Sequence, residues 1–379
     1  MGSPKICLVS SLLLEGNANN TEKFSAMLEG NARITHELAT QLTRLGEDVI
    51  VVTDGPKRNL SMINREYEIK TIGQRFSLKN VSFLGKYIEK MKPNIVHFHG
   101  GKSMSYFARF FKLWYRRPTI FTFTFAPSNY LRSISLPWQK PFSLFSKLKT
   151  LQKKRNEGFD HVIALTQFAR NNLIADEAFD SGCLSVIPYG ISQECLDYSI
   201  PANPQIKETI IYIGNLTYSR GFDTFLRSIP IIQSSFKNAE FLVFVRSASE
   251  LERFPQRILG LKLMKPTELV ENLCLSSFVV IPFSKCVAVD PPLSVLECMA
   301  RKKAVVTNPL GSIPEILGYN RGILVPPSEP KQLADAVSAL LENEQLSKSI
   351  GENARQYILK RYDWKIAISS IMKIYNCHL

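Results

Sequence analysis

The sequence predicts an α/β protein made of two Rossmann-like domains in tandem. Three observations lead there. Short apolar runs alternate with helical patterns along most of the chain, as parallel sheets covered by helices on both faces require. The chain has 379 residues, more than one ordinary core organises. A stretch with two prolines and few apolar residues, YSIPANPQIKE at 198–208, interrupts the alternation near the middle. The expected layout is an N-terminal domain over residues 1–200, a C-terminal domain over 208–358, and a closing helix, 359–379.

KICLVSSL reads as the first buried strand rather than a signal peptide, because no small-residue cleavage site follows it and EGNANN is polar. ARITHELATQLTRLG puts Ile34, Leu38, Leu42 and Leu45 on one helical stripe, with Gly46 as the C-terminal cap. DVIVVTDG, NIVHFHG, PTIFTFTF, DHVIALT and LSVIPYG follow as strands, whereas SISLPWQKPFSLF breaks the rhythm as a loop or irregular helix. The second series runs TIIYIGNL (strand), GFDTFLRSIPIIQS (helix), AEFLVFV (strand), TELVENLCLSS (helix) and FVVIPFS (strand). PPLSVLECMARK (helix), KAVVTNP and GILVPP (strands), and the helices PKQLADAVSALLEN and QLSKSIGENARQYILKRY complete it. In such folds ligands bind at the carboxyl ends of the strands, so a cleft between two facing domains is the expected site.

A formal charge of +14 implies an anionic partner. The seven cysteines are scattered, with no C-x-x-C pair, and read as reduced packing residues of a cytoplasmic protein. No apolar run reaches the roughly 20 residues a membrane-spanning helix needs. From Lys102 to Arg155 there are twelve Lys or Arg residues and no Asp or Glu, interleaved with aromatics such as Phe110, Trp114 and Trp138. No recognised nucleic-acid module accompanies this segment, so an anionic membrane surface is the expected partner and nucleic acid is not.

Two motifs fail. GGKS at 100–103 lacks the first glycine of a P-loop, since Val96 stands there, and no G-x-G-x-x-G follows the first strand. His97 and His99 share one face of a strand, but without further ligands they read as packed and polar residues rather than a metal site; His99 lies at the strand end, placed to reach the cleft. YIGNLTYSRGFDTFL is richer. A strand ends at Gly214, and a loop carries Asn215 and Arg220 into a helix start, a suitable cradle for a diphosphate; a solvated surface arginine is the competing reading. In VDPPLSVLECMARK, Pro291–Pro292 suit the first positions of a helix. The N–H groups near Leu293 and Ser294 are then open to an anion, and Glu297, one turn on, can accept from the vicinal hydroxyls of a ribose. The competing reading pairs Glu297 with Arg301 on a solvated face.

PPLSVLECMARKKAVVTNPLGSIPEIL, RGILVPPSEPKQLADAVSALLEN, ARQYILKRYDW and GNLTYSRG resemble the signature segments of glycosyltransferase family 4, the retaining nucleotide-sugar transferases of GT-B fold. EGNARITHELATQLTRLGEDVIVVT, KPNIVHFHG, DHVIALTQFAR and VIPYGIS resemble its N-terminal half more loosely. The resemblance implies that the closing helix, 359–379, returns toward the N-terminal domain, that Glu297 binds ribose and that Arg220 stands at the family's diphosphate lysine. It places Gly30 at the second glycine of an N-domain Gly-Gly loop, puts the N–H groups of Leu293 and Ser294 on the diphosphate, and sets Met264 near the base pocket. The chain departs from the pattern at Asn215, where the family has arginine, and at Glu29, the first Gly-Gly position. It departs again at Val289, the first signature glutamate, and at Thr124, an N-domain histidine; the loop from Gly16 to Glu29 is also long. Asp290, beside Val289, is the candidate substitute for the missing carboxylate.

The expected function is therefore retaining transfer of a hexose from a nucleotide diphosphate sugar to a glycan or lipid-linked acceptor. The catalytic candidates are Arg220, Asp290 and His99, and the donor-binding candidates Gly30, Gly214, Asn215, Arg220, Met264, Leu293, Ser294 and Glu297. Neither cofactor nor metal is expected, because arginine and a helix start supply the positive charge. The expected location is cytoplasmic, peripheral on the cytoplasmic membrane face. A degenerate GT-B binding protein and another GT-B enzyme, an epimerase or phosphorylase, stay open as alternatives.

Overall fold

The computed structural model describes residues 5–11, 30–54, 66–72, 76, 81–124, 158–177, 179–197, 208–245, 260–264, 268–286 and 289–379. The long loop at 16–29, SISLPWQKPFSLF, most of the 198–208 stretch and the basic segment beyond Thr124 lie outside them. The chain divides into two units. The first takes Met1–Gly190, Ala288–Asp290 and Trp364–Leu379; the second takes Ile191–Val287 and Pro291–Asp363. The first boundary thus falls ahead of the proline-bearing stretch, and the C-terminal crossing comes at Trp364.

In the first unit the described residues form a parallel seven-stranded sheet. The strands are β1 (Lys5–Val9), β2 (Asp48–Thr53), β3 (Glu68–Thr71), β4 (Ile95–Gly100), β5 (Thr119–Phe123), β6 (His161–Ala164) and β7 (Leu184–Val186), ordered β3-β2-β1-β4-β5-β6-β7. The order reverses between β1, which pairs Val9 with Phe98 of β4, and β4 itself. Every residue of β4 is buried, as expected of a central parallel strand covered on both faces. Helix α1 (Gly30–Arg44) buries Ile34, Leu38 and Leu42, but Leu45, expected on the same stripe, is 60% exposed because the helix stops at Arg44. Gly46 follows with φ +86°, the left-handed conformation a helix terminator needs. Helices α2 (Val81–Met91) and α3 (Lys102–Trp114) pack on each other, and the terminal helix Trp364–His378 buries Trp364, Ala367, Ile368, Ile371 and Tyr375.

The second unit repeats the topology. Its six-stranded parallel sheet has the order β10-β9-β8-β11-β12-β13, where β8 is Thr209–Ile213, β9 Glu240–Phe244, β10 Leu261–Met264, β11 Phe278–Ile281, β12 Ala304–Thr307 and β13 Ile323–Leu324. The order reverses between β8 and β11, paired through Val279–Ile211 and Val280–Tyr212. Two hydrophobic clusters cover this sheet. One gathers Leu242, Phe244, Ile281, Phe283, Val295 and Leu296; the other is built on Tyr212, Phe222, Phe225, Phe241 and Val337.

Candidate functional site

A doubly wound sheet opens a crevice at its carboxyl edge where the strand order reverses. In the second unit this point lies between the loops that leave β8 and β11, and the nucleotide candidates fall on those two loops. After β8, residues Tyr218–Arg220 form a single 3-10 turn, and Gly221 (φ +68°) starts the helix Phe222–Ser235. A Cβ on Gly221 would stand 1.4 Å from the carbonyl oxygen of Pro282, just beyond β11, so only glycine lets the loops approach this closely. Ser284 N–H donates to the Ser219 carbonyl at 3.2 Å. The Tyr212 hydroxyl donates toward the carbonyls of Asn215 (3.0 Å) and Arg220 (3.2 Å), which fixes the loop from below. The Arg220 guanidinium lies 5.3 Å from the Phe283 ring centre, a cation–π contact that holds the side chain against the loop after β11. The Asn215 side-chain oxygen is buried with no hydrogen-bond partner in the protein, the kind of orphaned acceptor that a ligand satisfies.

The loop after β11 leads to the helix Leu293–Ala300. The prolines do not occupy its first turn, as the sequence reading expects. Pro292 is the N-cap with ψ 116°, outside the helix, and its carbonyl accepts from Val295 (3.1 Å) and Leu296 (3.3 Å). The consequence is similar: the N–H groups of Leu293 and Ser294, both half-buried, fall in the first turn, where the helix itself supplies no acceptor. Glu297 is half-buried one turn on; Arg301 donates to its backbone carbonyl at 3.2 Å rather than lying out on a solvated face. Val295 and Leu296 on the inner face share a core with Phe283, and Met264, at the carboxyl end of β10, packs against that core. Gly214, Asn215, Arg220, Met264, Leu293, Ser294 and Glu297 thus all belong to one edge of the second unit. Phe283 and Lys285, whose ammonium is 5.7 Å from the Tyr218 ring, join them unforeseen. Their signal was available: FSK directly follows β11.

The remaining candidates belong to the first unit. Gly30 is the first residue of α1. Asp290 is 2% exposed, and its N–H donates to the Thr124 carbonyl at 3.3 Å. The Thr124 hydroxyl donates to the Asn31 side chain at 2.6 Å, and Asn31 donates in turn to Ser10 at 2.8 Å. His99 is fully buried, with Nδ1 2.8 Å from the Thr35 hydroxyl and Nε2 3.4 Å from the Tyr189 hydroxyl. Both ring nitrogens are therefore used inside the domain, and His99 ties α1 to the sheet instead of presenting a base to a ligand. His97 joins the same network through Tyr375 (2.7 Å) and Thr122 (2.8 Å). Burial keeps both rings neutral: it pushes His99 down to about 3, and it pushes His97 well below the usual imidazole range, His99 adding to the effect. Among the described residues no group of three or more Asp, Glu, His or Cys could hold a metal ion, and the cysteines are free thiols.

Two parallel sheets of this topology, the second with the loops after β8 and β11 touching at its switch point, define a GT-B type α/β protein. The chain belongs to glycosyltransferase family 4: the model described as Glycosyltransferase Family 4 matches residues 29–194, and that described as Glycosyl transferases group 1 matches residues 207–343. An uncharacterized glycosyltransferase of Methanocaldococcus jannaschii is 24% identical over 60% of this chain, and the match spans 61% of that relative's length. The GPI3 subunit of phosphatidylinositol N-acetylglucosaminyltransferase from Saccharomyces cerevisiae is 24% identical over 90% of this chain and 78% of its own. Among solved structures, HepE of Anabaena in complex with UDP superposes with a TM-score of 0.73 at 14% identity, over 98% of this chain and all of that one.

Proposed function

We propose that the protein transfers a hexose from a nucleotide diphosphate sugar to a glycan or lipid-linked acceptor, with retention at the anomeric carbon. The observation that carries this reading is the meeting, at the β8/β11 switch point, of the Arg220 loop with the loop leading to the Leu293–Ser294 helix start. Arg220 and those N–H groups would stabilise the charge that grows on the departing diphosphate, and Glu297 would hold the ribose. With cationic and dipolar groups in place, the step needs no metal. Asp290, held by its N–H to Thr124, would supply the carboxylate that Val289 does not. A UDP-bound structural neighbour supports nucleotide binding at this fold's edge, and the yeast relative, whose name includes phosphatidylinositol, favours a lipid-linked acceptor on a membrane surface.

The test is donor turnover. Incubation with UDP-, GDP-, ADP- and dTDP-sugars should release nucleoside diphosphate from one of them, and the anomeric proton of the product should keep the donor's configuration. Binding without release from any donor would point to the degenerate, non-catalytic form of the fold. Release of the inverted sugar would overturn retention.

A further inference from the structure

The described surface of the first unit carries one exposed apolar stripe. Helix α3 exposes Phe110 (43%), Leu113 (76%) and Trp114 (74%). Their i, i+3, i+4 spacing puts them on one face, flanked around the helix by Phe107 and Phe111, which are buried in the core. On the neighbouring helix α2, Phe83 is half exposed and stacks at 6.4 Å on Tyr87. Between residues 81 and 117 the only acid is Glu89, and Arg117 takes both its oxygens, at 3.0 and 3.1 Å. Lys112 is drawn inward to Asp160 at 2.5 Å, and Arg109 lies over the Phe159 and Phe179 rings. Among the described side chains, the cations exposed here are Lys86, Lys90, Lys92 and Arg116. Beside them Trp114, Tyr115, Arg116, Arg117 and Glu89 line an open depression of about 390 Å³.

We propose that this face of α2 and α3 is a membrane anchor, in which Phe110, Leu113 and Trp114 enter the interface of an anionic bilayer while Arg116, Lys86 and Lys90 engage lipid phosphates. Charge complementarity selects the occupant. An anionic bilayer neutralises a basic surface whose one acid, Glu89, is already paired to Arg117, whereas a second copy would bring the same cations and a net charge of +14 against it. A tryptophan beside an arginine suits the headgroup level, and Leu113 offers nothing for a nucleic-acid base to stack on. The anchor is not the acceptor site. Helix α3 carries the chain from the carboxyl end of β4 back to the amino end of β5, so Trp114 lies about 20 Å of helix away from Gly100. The inference deepens the membrane-associated form of the proposed function and rests on it only for its purpose.

Flotation of the full chain with vesicles of phosphatidylcholine alone, or of equal parts phosphatidylcholine and phosphatidylglycerol, tests it. Binding is expected to the anionic vesicles only, to weaken as salt rises, and to shift Trp114 fluorescence to the blue. Arg116→Gln should weaken partition about fivefold, and Leu113→Asp or Trp114→Ala more than about tenfold. Because these side chains are exposed, the variants should keep the wild-type melting temperature and any nucleotide-induced shift of it. A failed nucleotide shift with intact flotation would therefore defeat the transferase reading alone. Equal recovery with both vesicles, recovery with neither, or unchanged recovery in Leu113→Asp would overturn the anchor. A concentration-dependent dimer lost in Leu113→Asp would also overturn it, assigning the face to a second copy.

Discussion

Lowering the pH from about 7 to about 5 should destabilise the first unit by several kcal/mol, because three of its histidines are held neutral. His99 and His36 are pushed from 6.5 down to about 3 and about 4, in each case chiefly by burial, and His97 lies well below the usual range for the same reason. In the unfolded chain each would take up a proton near its ordinary value. Between the two values the unfolded state binds more protons than the folded one, so stability is fully present above about 6.5 and is lost as pH falls. Worked through the linkage relation, the fall from about pH 7 to about pH 5 costs about 2 kcal/mol for each of His99 and His36, and His97 adds to the loss in the same direction. That is a large part of the stability of many domains. The assay is urea unfolding followed by tryptophan fluorescence, to which Trp364, buried against Tyr189, contributes. His99→Gln, which retains a hydrogen-bonding side chain, should remove about 2 kcal/mol of this pH dependence whatever it does to stability at neutral pH. A flat profile over this window, or an identical slope in the variant, would refute the reasoning.

Other outcomes follow from the same geometry. Gly221→Ala should unfold or badly distort the β8 loop, since its Cβ would overlap the Pro282 carbonyl; a melting temperature within about 2 °C of wild type would contradict the contact. Tyr375→Phe leaves His97 without its Nδ1 partner and should cost about 1–3 kcal/mol in urea unfolding. Glu297→Ala should mainly raise the donor KM, since ribose contacts are similar in the ground and transition states. Asp290→Asn should lower kcat; unchanged turnover would remove Asp290 from the chemistry.

Much of the fold is legible because β1, β8 and β11 are near-continuous apolar runs of strand length, as parallel strands covered on both faces read. The sequence reading does not resolve β3 (EIKT) or β10 (LKLM), whose edge positions leave only Ile69 among their residues fully buried and blur any apolar run. Helix α3 also goes unread, behind the P-loop-like GGKS at its start. The loops at the β8/β11 switch point are legible because glycine, proline and arginine sit at turn positions where local chemistry dictates their use. His99 is different. Its position at the strand end suggests access to a ligand, and only the long-range contacts with Thr35 and Tyr189 show it to be internal. The same holds for α3: its amphipathic pattern cannot tell which of its aromatics face inward, and the packing sorts Phe107 and Phe111 from Phe110 and Trp114.

Calorimetric titration with UDP, GDP, ADP and dTDP, wild type against Arg220→Ala, tests the central claim most directly. The account predicts that at least one nucleoside diphosphate binds the wild type, and that the variant binds it about tenfold to a hundredfold more weakly, the loss of one charge-assisted contact to the diphosphate. No binding of any nucleotide at millimolar concentration, or equal affinity in the two proteins, would contradict it.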